Sequence, residues 1–453
     1  MTERRGKGGR GRGANRPASA RPPAGFERDR SRRQRVEESA GAIGPPKGAR
    51  LATVDEVEVR IEKLVAGGEG FARFEGVPLF VPRSAPGDRL RVRVVERRPD
   101  YGRAEVLEVL EPGPGRREPP CPYFDRCGGC DLQHLEDSLQ VELKAAAVVE
   151  TLERLGGLRL PAVPEVVAGE PWGYRLRTQL HVEPPGRVVA APGGPDRPAV
   201  GYFERGSHEL VAVDRCPILV PELETLLPRL PAALGEADRL PRRLDLAAGE
   251  GRAVSAAPVV PGLPHGEVTA TVAGFELAYD ARSFFQTHRG LLERLVAVVL
   301  GPGGRAPDRA QEVAFDLYCG VGLFTLPLAR RYRQVVGVEG DGVAVRFARR
   351  NARKNGVENV EIQAVRVESW ITQMPERADR VVLDPPRTGL HPRVRETLLA
   401  RAPPWITYVS CHPATLARDL RALSASYRLE RLTLLDLFPQ TGHMEAVAQL
   451  LRF

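Results

Sequence analysis

Apolar and charged residues alternate through Val57, Val59 and Ile61, and again through Leu90, Val92 and Val94. A period of two predicts strands with one buried face. Turn-forming segments, Ala66-Gly-Gly-Glu-Gly70 and Ser84-Ala-Pro-Gly-Asp88, separate the runs, so residues 51–111 are expected to form a small β-barrel. Glu111-Pro-Gly-Pro-Gly115 reads as a linker, and a helix is predicted over roughly 135–156. Residues 161–280 hold short strands between Pro/Gly loops. From about residue 281 the pattern becomes strand–helix–strand. Strand-like runs are 313–317, 334–338, 360–362, 380–383 and 406–409, with helical segments such as 342–352 between them. This alternation predicts a parallel sheet covered on both faces, an α/β fold. The last stretch, 428–452, reads as two more strands joined by a loop.

Length and charge refine this picture. A chain of 453 residues is expected to hold two or three domains. No apolar run approaches the length a bilayer requires, so no membrane association is expected. The N-terminus is basic but lacks the apolar core of a secretory signal, so a cytoplasmic location is expected, where structural disulfides are rare. Residues 1–50 carry fourteen Lys/Arg against five Asp/Glu, whereas the other 403 carry 52 against 53. The whole positive excess thus lies in a Gly/Pro/Arg-rich tail, a composition unable to bury a core and expected to be disordered. The tail reads either as an electrostatic arm for RNA or as a solubilising extension. Arg91, Arg93, Arg97, Arg98 and Arg103 in the barrel are further candidates to track phosphates.

Candidate chemistry concentrates near the C-terminus. Cys411 stands between the apolar run 405–409 and a helix start marked by Pro413. A thiol there is expected to face the positive end of the helix dipole, which favours thiolate. Upstream, Asp316-Leu-Tyr-Cys-Gly320-Val-Gly322 joins a strand to a helix, where Gly320 and Gly322 allow close approach of a ligand. Glu339 ends the next strand, where an acidic residue can accept from ribose hydroxyls, and Asp384 ends a later one. The turn lacks the third glycine of the dinucleotide fingerprint, which favours S-adenosylmethionine over a dinucleotide. Cys121, Cys127 and Cys130, with Cys216 as a fourth thiol, suit either zinc or an iron–sulfur cluster.

Ser410-Cys-His-Pro413, Asp384-Pro-Pro-Arg387 and Phe438-Pro-Gln-Thr-Gly-His-Met-Glu445 together resemble the active site of the S-adenosylmethionine-dependent RNA (uracil-5-)-methyltransferases. The resemblance extends over nearly all of the chain after the tail. It implies a C-terminal Rossmann-like class I methyltransferase domain (281–453) and a central α+β domain with a cysteine cluster that contacts RNA (112–280). It also implies an N-terminal OB-like barrel similar to the TRAM domain (51–111), after a basic tail (1–50). By resemblance Cys411 is the nucleophile and Glu445 the base that removes the C5 proton. Gln286, Tyr318, Gly320, Glu339 and Asp384 would hold the methyl donor, and Arg387 with Gln286 would orient the base. The cysteine motif and Asp214-Arg-Cys-Pro-Ile-Leu219 are similar to the family's [4Fe–4S] site. His288 and His412 depart from the family, where asparagine is common. The implied substrate is 23S ribosomal RNA, with transfer RNA second, and a monomer is expected. RNA cytosine-5 methylation is the enzymatic alternative, although no cysteine stands at 384–387. A non-catalytic RNA-binding protein is the other alternative.

Overall fold

The computed structural model describes residues 55–188, 191–301 and 313–453; the expected basic tail lies outside the described residues. The first body contains β1 (Glu56–Arg60), β2 (Lys63–Leu64), β3 (Glu69–Phe74), β4 (Val77–Pro82), β5 (Arg89–Arg97) and β6 (Gly102–Glu111). Their order is β1-β5-β6-β4-β3-β2. One extended run bends at Ile61. Its front half pairs with β5 and its back half with β3, so the sheet closes into the expected barrel. Alternate residues Val57, Val59, Ile61, Leu90 and Val92 fill its interior.

The outward arginines of the barrel are not a free basic stripe. Antiparallel pairing sets Arg93 opposite Glu56 and Arg91 opposite Glu108, and ion pairs form at 3.2 and 2.6 Å. Arg97 meets Asp55 and Arg98 meets Glu96, while Arg103 reaches Glu69 and Glu96. Cross-strand neighbours of opposite sign neutralise the face, and exposed pairs of this kind add little stability.

Next come helix α1 (Asp137–Gly156), a short strand β7 (Glu165–Val167) and an antiparallel sheet. That sheet holds β8 (Arg177–Glu183), β9 (Ala199–Phe203), β10 (Leu210–Ala212), β11 (Arg243–Ala248) and β12 (Val254–Ala257), in the order β10-β9-β8-β11-β12. A hairpin, β13 (Val268–Val272) and β14 (Phe275–Tyr279), follows.

The C-terminal part holds β15 (Val313–Leu317), β16 (Gln334–Glu339), β17 (Val360–Ala364), β18 (Arg380–Leu383), β19 (Trp405–Ser410), β20 (Tyr427–Leu435) and β21 (Glu445–Arg452). Helices α2 (Leu292–Leu300), α3 (Gly342–Lys354), α4 (Pro392–Arg401) and α5 (Pro413–Leu423) accompany them. The sheet order is β17-β16-β15-β18-β19-β21-β20-β7. β15 to β19 are parallel, and β21 runs antiparallel between β19 and β20.

The C-terminal sheet also takes a strand from before residue 281. β7, from the expected central domain, pairs with β20 and extends the C-terminal sheet. Helix α1 packs on α5. The β13–β14 hairpin is held by α3: Asn351 accepts from Ala278 N at 2.9 Å and donates to Ala278 O at 3.0 Å. The asparagine amide thereby completes a strand edge that would otherwise lack partners. Sequence periodicity does not report such long-range docking.

Lys144 of α1 is fully buried and donates to Asp436 at 2.6 Å and to the Phe438 carbonyl at 3.2 Å. Lys144→Met should strand the Asp436 carboxylate in the interior and lower unfolding free energy by about 3–5 kcal/mol, measured by chemical denaturation. A loss no larger than that of an exposed lysine would show that the pair does not anchor α1.

Candidate active site

In a parallel sheet the loops at the carboxyl ends of the strands share one edge. Tyr318 and Gly320 follow β15, Glu339 ends β16, Asp384 follows β18 and Cys411 follows β19. β21 runs the other way and pairs Ala446 with Ser410. Its first residue, Glu445, therefore reaches the same edge, beside Cys411. Gln286 enters from the segment after β14 and donates to Asp384 Oδ2 at 3.1 Å.

The β15 turn is shaped for close approach. Gly320 and Gly322 have φ of 55° and 97°, and Tyr318, not a glycine, has φ of 68°. A Cβ at Gly322 would stand 2.9 Å from the Leu326 side chain. Left-handed backbone at a non-glycine residue is strained and clusters at binding sites. The Glu339 carboxylate accepts from Gly320 N at 2.9 Å and from Asp341 N at 2.7 Å. Tyr318 donates its hydroxyl to Glu368 at 3.3 Å. A cavity beside this turn is lined by Phe284, Phe285, Gln286, Tyr318, Gly320 and Asp384.

The electrostatics of this edge are lopsided. Burial pushes Asp316 and Asp384 up to about 7, and each is raised further by a neighbouring carboxylate. Glu445 is buried and raised well above the carboxylate range by burial and by Asp384, with Arg387 opposing. Asp316 accepts from the Thr325 hydroxyl through Oδ2, while its buried Oδ1 has no partner. Arg387 donates to Nε2 of His443 at 3.2 Å. Burial and Arg387 push His443 down to about 4, so its ring is neutral and can accept.

The thiolate expected at Cys411 is corrected by its surroundings. Burial pushes the thiol up to about 11, Glu445 and Asp384 add to the rise, and Arg387 opposes it. The helix end is already engaged. His412 is the N-cap of α5, and its Nδ1 accepts from Thr415 N at 3.3 Å. Imidazole thus fills the capping role that asparagine performs elsewhere. His288 is likewise structural, stacked on Tyr174 with ring centroids 4.8 Å apart and bonded to the Glu170 carbonyl at 3.1 Å.

The loop that leads into Glu445 is clamped by residues far away in sequence. Gln440 has φ of 68°. Its carbonyl accepts from Asp131 N and Leu132 N at 2.8 and 3.0 Å, and its side chain donates to Asp137 at 2.7 Å. Gly442 N donates to Asp131 Oδ2 at 2.8 Å, and Asp131 is also paired with Arg205. A Cβ at Gly442 would overlap the Gly67 carbonyl carbon of the barrel turn. Sequence reasoning missed Asp131, Asp316, Phe284 and Phe285 as site residues. Asp316 alone had a signal, as the acidic start of the glycine turn.

Three of the four cysteines expected to bind metal, Cys121, Cys130 and Cys216, pack together with Phe124, Tyr174 and Ile218. Cys127 follows closely, with Sγ accepting from Gly129 N at 3.4 Å. Burial raises all four thiols, and mutual repulsion raises Cys127, Cys130 and Cys216 further. Among the described residues, no group of three or more His, Cys, Asp or Glu side chains stands in position to hold a metal ion. The thiols are neighbours without converging on one centre. No helix of the described residues is long and apolar enough to cross a membrane.

Residues 281–452 match the family described as tRNA (Uracil-5-)-methyltransferase, and residues 50–107 match the TRAM domain. The 23S rRNA (uracil(1939)-C(5))-methyltransferase of Pectobacterium atrosepticum is 36% identical over 427 residues, which covers 86% of this chain and 92% of that protein. Its counterpart from Salmonella choleraesuis is 35% identical over 436 residues, covering 88% and 96%. Among solved structures, the Pyrococcus abyssi tRNA (uracil-54, C5)-methyltransferase in complex with S-adenosyl-L-homocysteine is similar, with a TM-score of 0.66 and 27% identity. The likeness covers 87% of this chain and 100% of that one.

The charges around Cys411 predict opposite effects of two substitutions on its reactivity. Glu445→Gln removes a charge that disfavours thiolate, and Arg387→Gln removes one that favours it. At a pH high enough to ionise the raised Glu445 carboxyl, alkylation of Cys411 should become roughly tenfold faster in the first variant and slower in the second. Mass-spectrometric alkylation rates check this, and a shift in the same direction for both would refute the assignment of charges.

Proposed function

The chain belongs to the RNA (uracil-5-)-methyltransferase family, and on that premise we propose that it methylates C5 of a uridine in 23S ribosomal RNA, with S-adenosylmethionine as donor. The observation that carries this is the meeting of Cys411 and Glu445, from antiparallel neighbouring strands, beside Asp384 and Arg387. The named ribosomal RNA relatives, matched over almost their whole length, favour ribosomal RNA over transfer RNA. The TRAM-like barrel fits an RNA substrate.

The donor pocket fits a cation. Asp316 is buried and Asp384 half-buried, both with raised pKa values, and one oxygen of Asp316 is unpartnered. Glu339 would accept from ribose hydroxyls, and Tyr318 and Gly320 would line the adenosine side. Asp384 and Gln286 would face the methionine portion. When bound, the donor supplies an electrophilic methyl group and a positive charge beside these carboxylates.

The chain's own residues carry the remaining chemistry. A flipped-out uridine is needed for the thiol to reach the ring. The Cys411 thiol gives up its proton to solvent, its Sγ adds to C6, and the ring electrons shift towards C5 and O4. Arg387 stabilises both the thiolate and the developing charge on O4, and Gln286 orients the ring. C5 forms its bond to the methyl group as the methyl–sulfur bond of the donor breaks. Glu445, as carboxylate, then takes the C5 proton. The C5–H electrons restore the ring double bond, and the C6–S bond breaks to release Cys411. A buried carboxylate of raised pKa is a stronger base than an exposed one, which suits removal of a carbon-bound proton.

Cys121, Cys127, Cys130 and Cys216 are proposed to hold a [4Fe–4S] cluster. Buried neighbouring thiols that resist ionisation alone are stabilised as thiolates by a cationic centre. The cluster would tie Cys216 to the loop that also carries Asp131.

Labelled S-adenosylmethionine should place its methyl in 5-methyluridine of 23S RNA; label in 5-methylcytidine would point to the cytosine alternative. Cys411→Ala should abolish methylation and form no adduct. Glu445→Gln should still add and methylate but not eliminate, leaving a protein–RNA band that survives denaturation. Free turnover by the Glu445 variant would assign the base elsewhere.

Protein prepared anaerobically should be brown, with broad visible absorbance and about four irons per chain. Colourless protein holding one zinc would overturn the cluster.

A further inference from the structure

Helix α3, with thirteen residues, carries Arg346, Arg349, Arg350, Arg353 and Lys354 and no acidic residue. This stands out in a body whose basic and acidic residues otherwise nearly balance. Four of these arginines line a cavity of about 530 Å³ together with Arg282, Phe347 and Glu267. Arg350 is paired with Glu267, Lys354 with Glu276 and Arg282 with Asp280. Arg349 donates to the Ile362 carbonyl at 2.8 Å. Among the described residues, no carboxylate forms an ion pair with Arg346, Arg349 or Arg353, which project from one stripe at i, i+3 and i+7.

Like charges at this spacing cost helix stability, and the contrast with the barrel arginines is direct. Those are neutralised across strands, whereas these are left uncompensated around a concave surface. Guanidinium groups present planar forks that match phosphate oxygens. One helical turn, about 5.4 Å, is close to the spacing of successive phosphates along a strand. The helix starts at the catalytic edge, and its arginine face runs from there towards the opposite edge of the sheet, where Arg353 lies beside the start of β17. α3 begins beside the turn that follows Glu339, and Arg282 lies four residues before Gln286.

We propose that the arginine face of α3 is a second RNA-contact surface, which grips backbone phosphates of the substrate RNA at a distance from the methylated nucleotide. The proposal rests on the reading of the chain as an RNA methyltransferase. It accounts for charge that the catalytic residues do not use. It also gives the folded body an anchor for RNA independent of the N-terminal tail.

The test is the salt dependence of binding between the full chain and a 23S RNA fragment. Two variants are compared with wild type: Arg346→Gln/Arg349→Gln/Arg353→Gln, and the Arg346→Gln/Arg353→Gln pair, which keeps the Arg349–Ile362 bond. Each lost phosphate contact should lower the log–log salt slope by about 0.7–0.9. Affinity for S-adenosylmethionine should not change. The triple arginine-to-lysine variant should keep most of the slope, since it keeps the charge. A wild-type slope and affinity in both glutamine variants would overturn the proposal, as it would if they lost binding to an acidic protein instead. Binding is read without methylation, so an error in the assigned target atom would leave this result intact.

Discussion

Asp316 and Glu445 are buried and Asp384 is half-buried at one edge of a sheet, with the Arg387 guanidinium opposing the charge on Glu445. Burying like charges together is unfavourable, and the rest of the molecule is arranged so that it can be sustained. Residues on five strand ends and a loop from the hairpin side bring these groups together. The resulting field explains the high pKa of Cys411 and the raised pKa of Glu445. A rigid scaffold is required, because relaxation would let water in and dissipate the field.

That rigidity comes from outside the methyltransferase sheet. The loop 436–444 is held at Asp436 by Lys144, at Gln440 by the backbone of Asp131 and Leu132, and at Gly442 by the Asp131 carboxylate. The barrel turn at Gly67 and Gly68 closes against the same loop. Barrel, cysteine segment and α1 therefore act on the loop that leads into Glu445 through a few short bonds. Asp131 directly follows Cys130, so the order of the cysteine segment and the placement of Glu445 are mechanically linked.

Charge is distributed with similar economy. In the barrel, the five outward arginines expected to track phosphates each meet a carboxylate, most of them across strands. Helix α3 leaves three arginines without one. Counting basic residues along a segment did not distinguish the two cases, because neutralisation depends on which residues lie opposite each other.

The sequence by itself determined the alternation of strands and helices, the inward faces of the barrel, and the motifs around Gly320, Asp384, Cys411 and Glu445. These are local properties. Side-chain period sets strand or helix, glycine permits the turn, and a few neighbouring residues define each motif. Only the tertiary structure decided what depends on partners far along the chain. The pairing of β7 with β20 adds a strand from the expected central segment to the C-terminal sheet. The ionisation of Cys411 was reversed from the helix-dipole expectation, because solvent exclusion and the charges of Glu445 and Asp384 outweigh a helix end already capped by His412. The role of Asp131 depends on Gly442, 311 residues away. No local pattern encodes such a contact, since its energy exists only once both segments have been packed against each other.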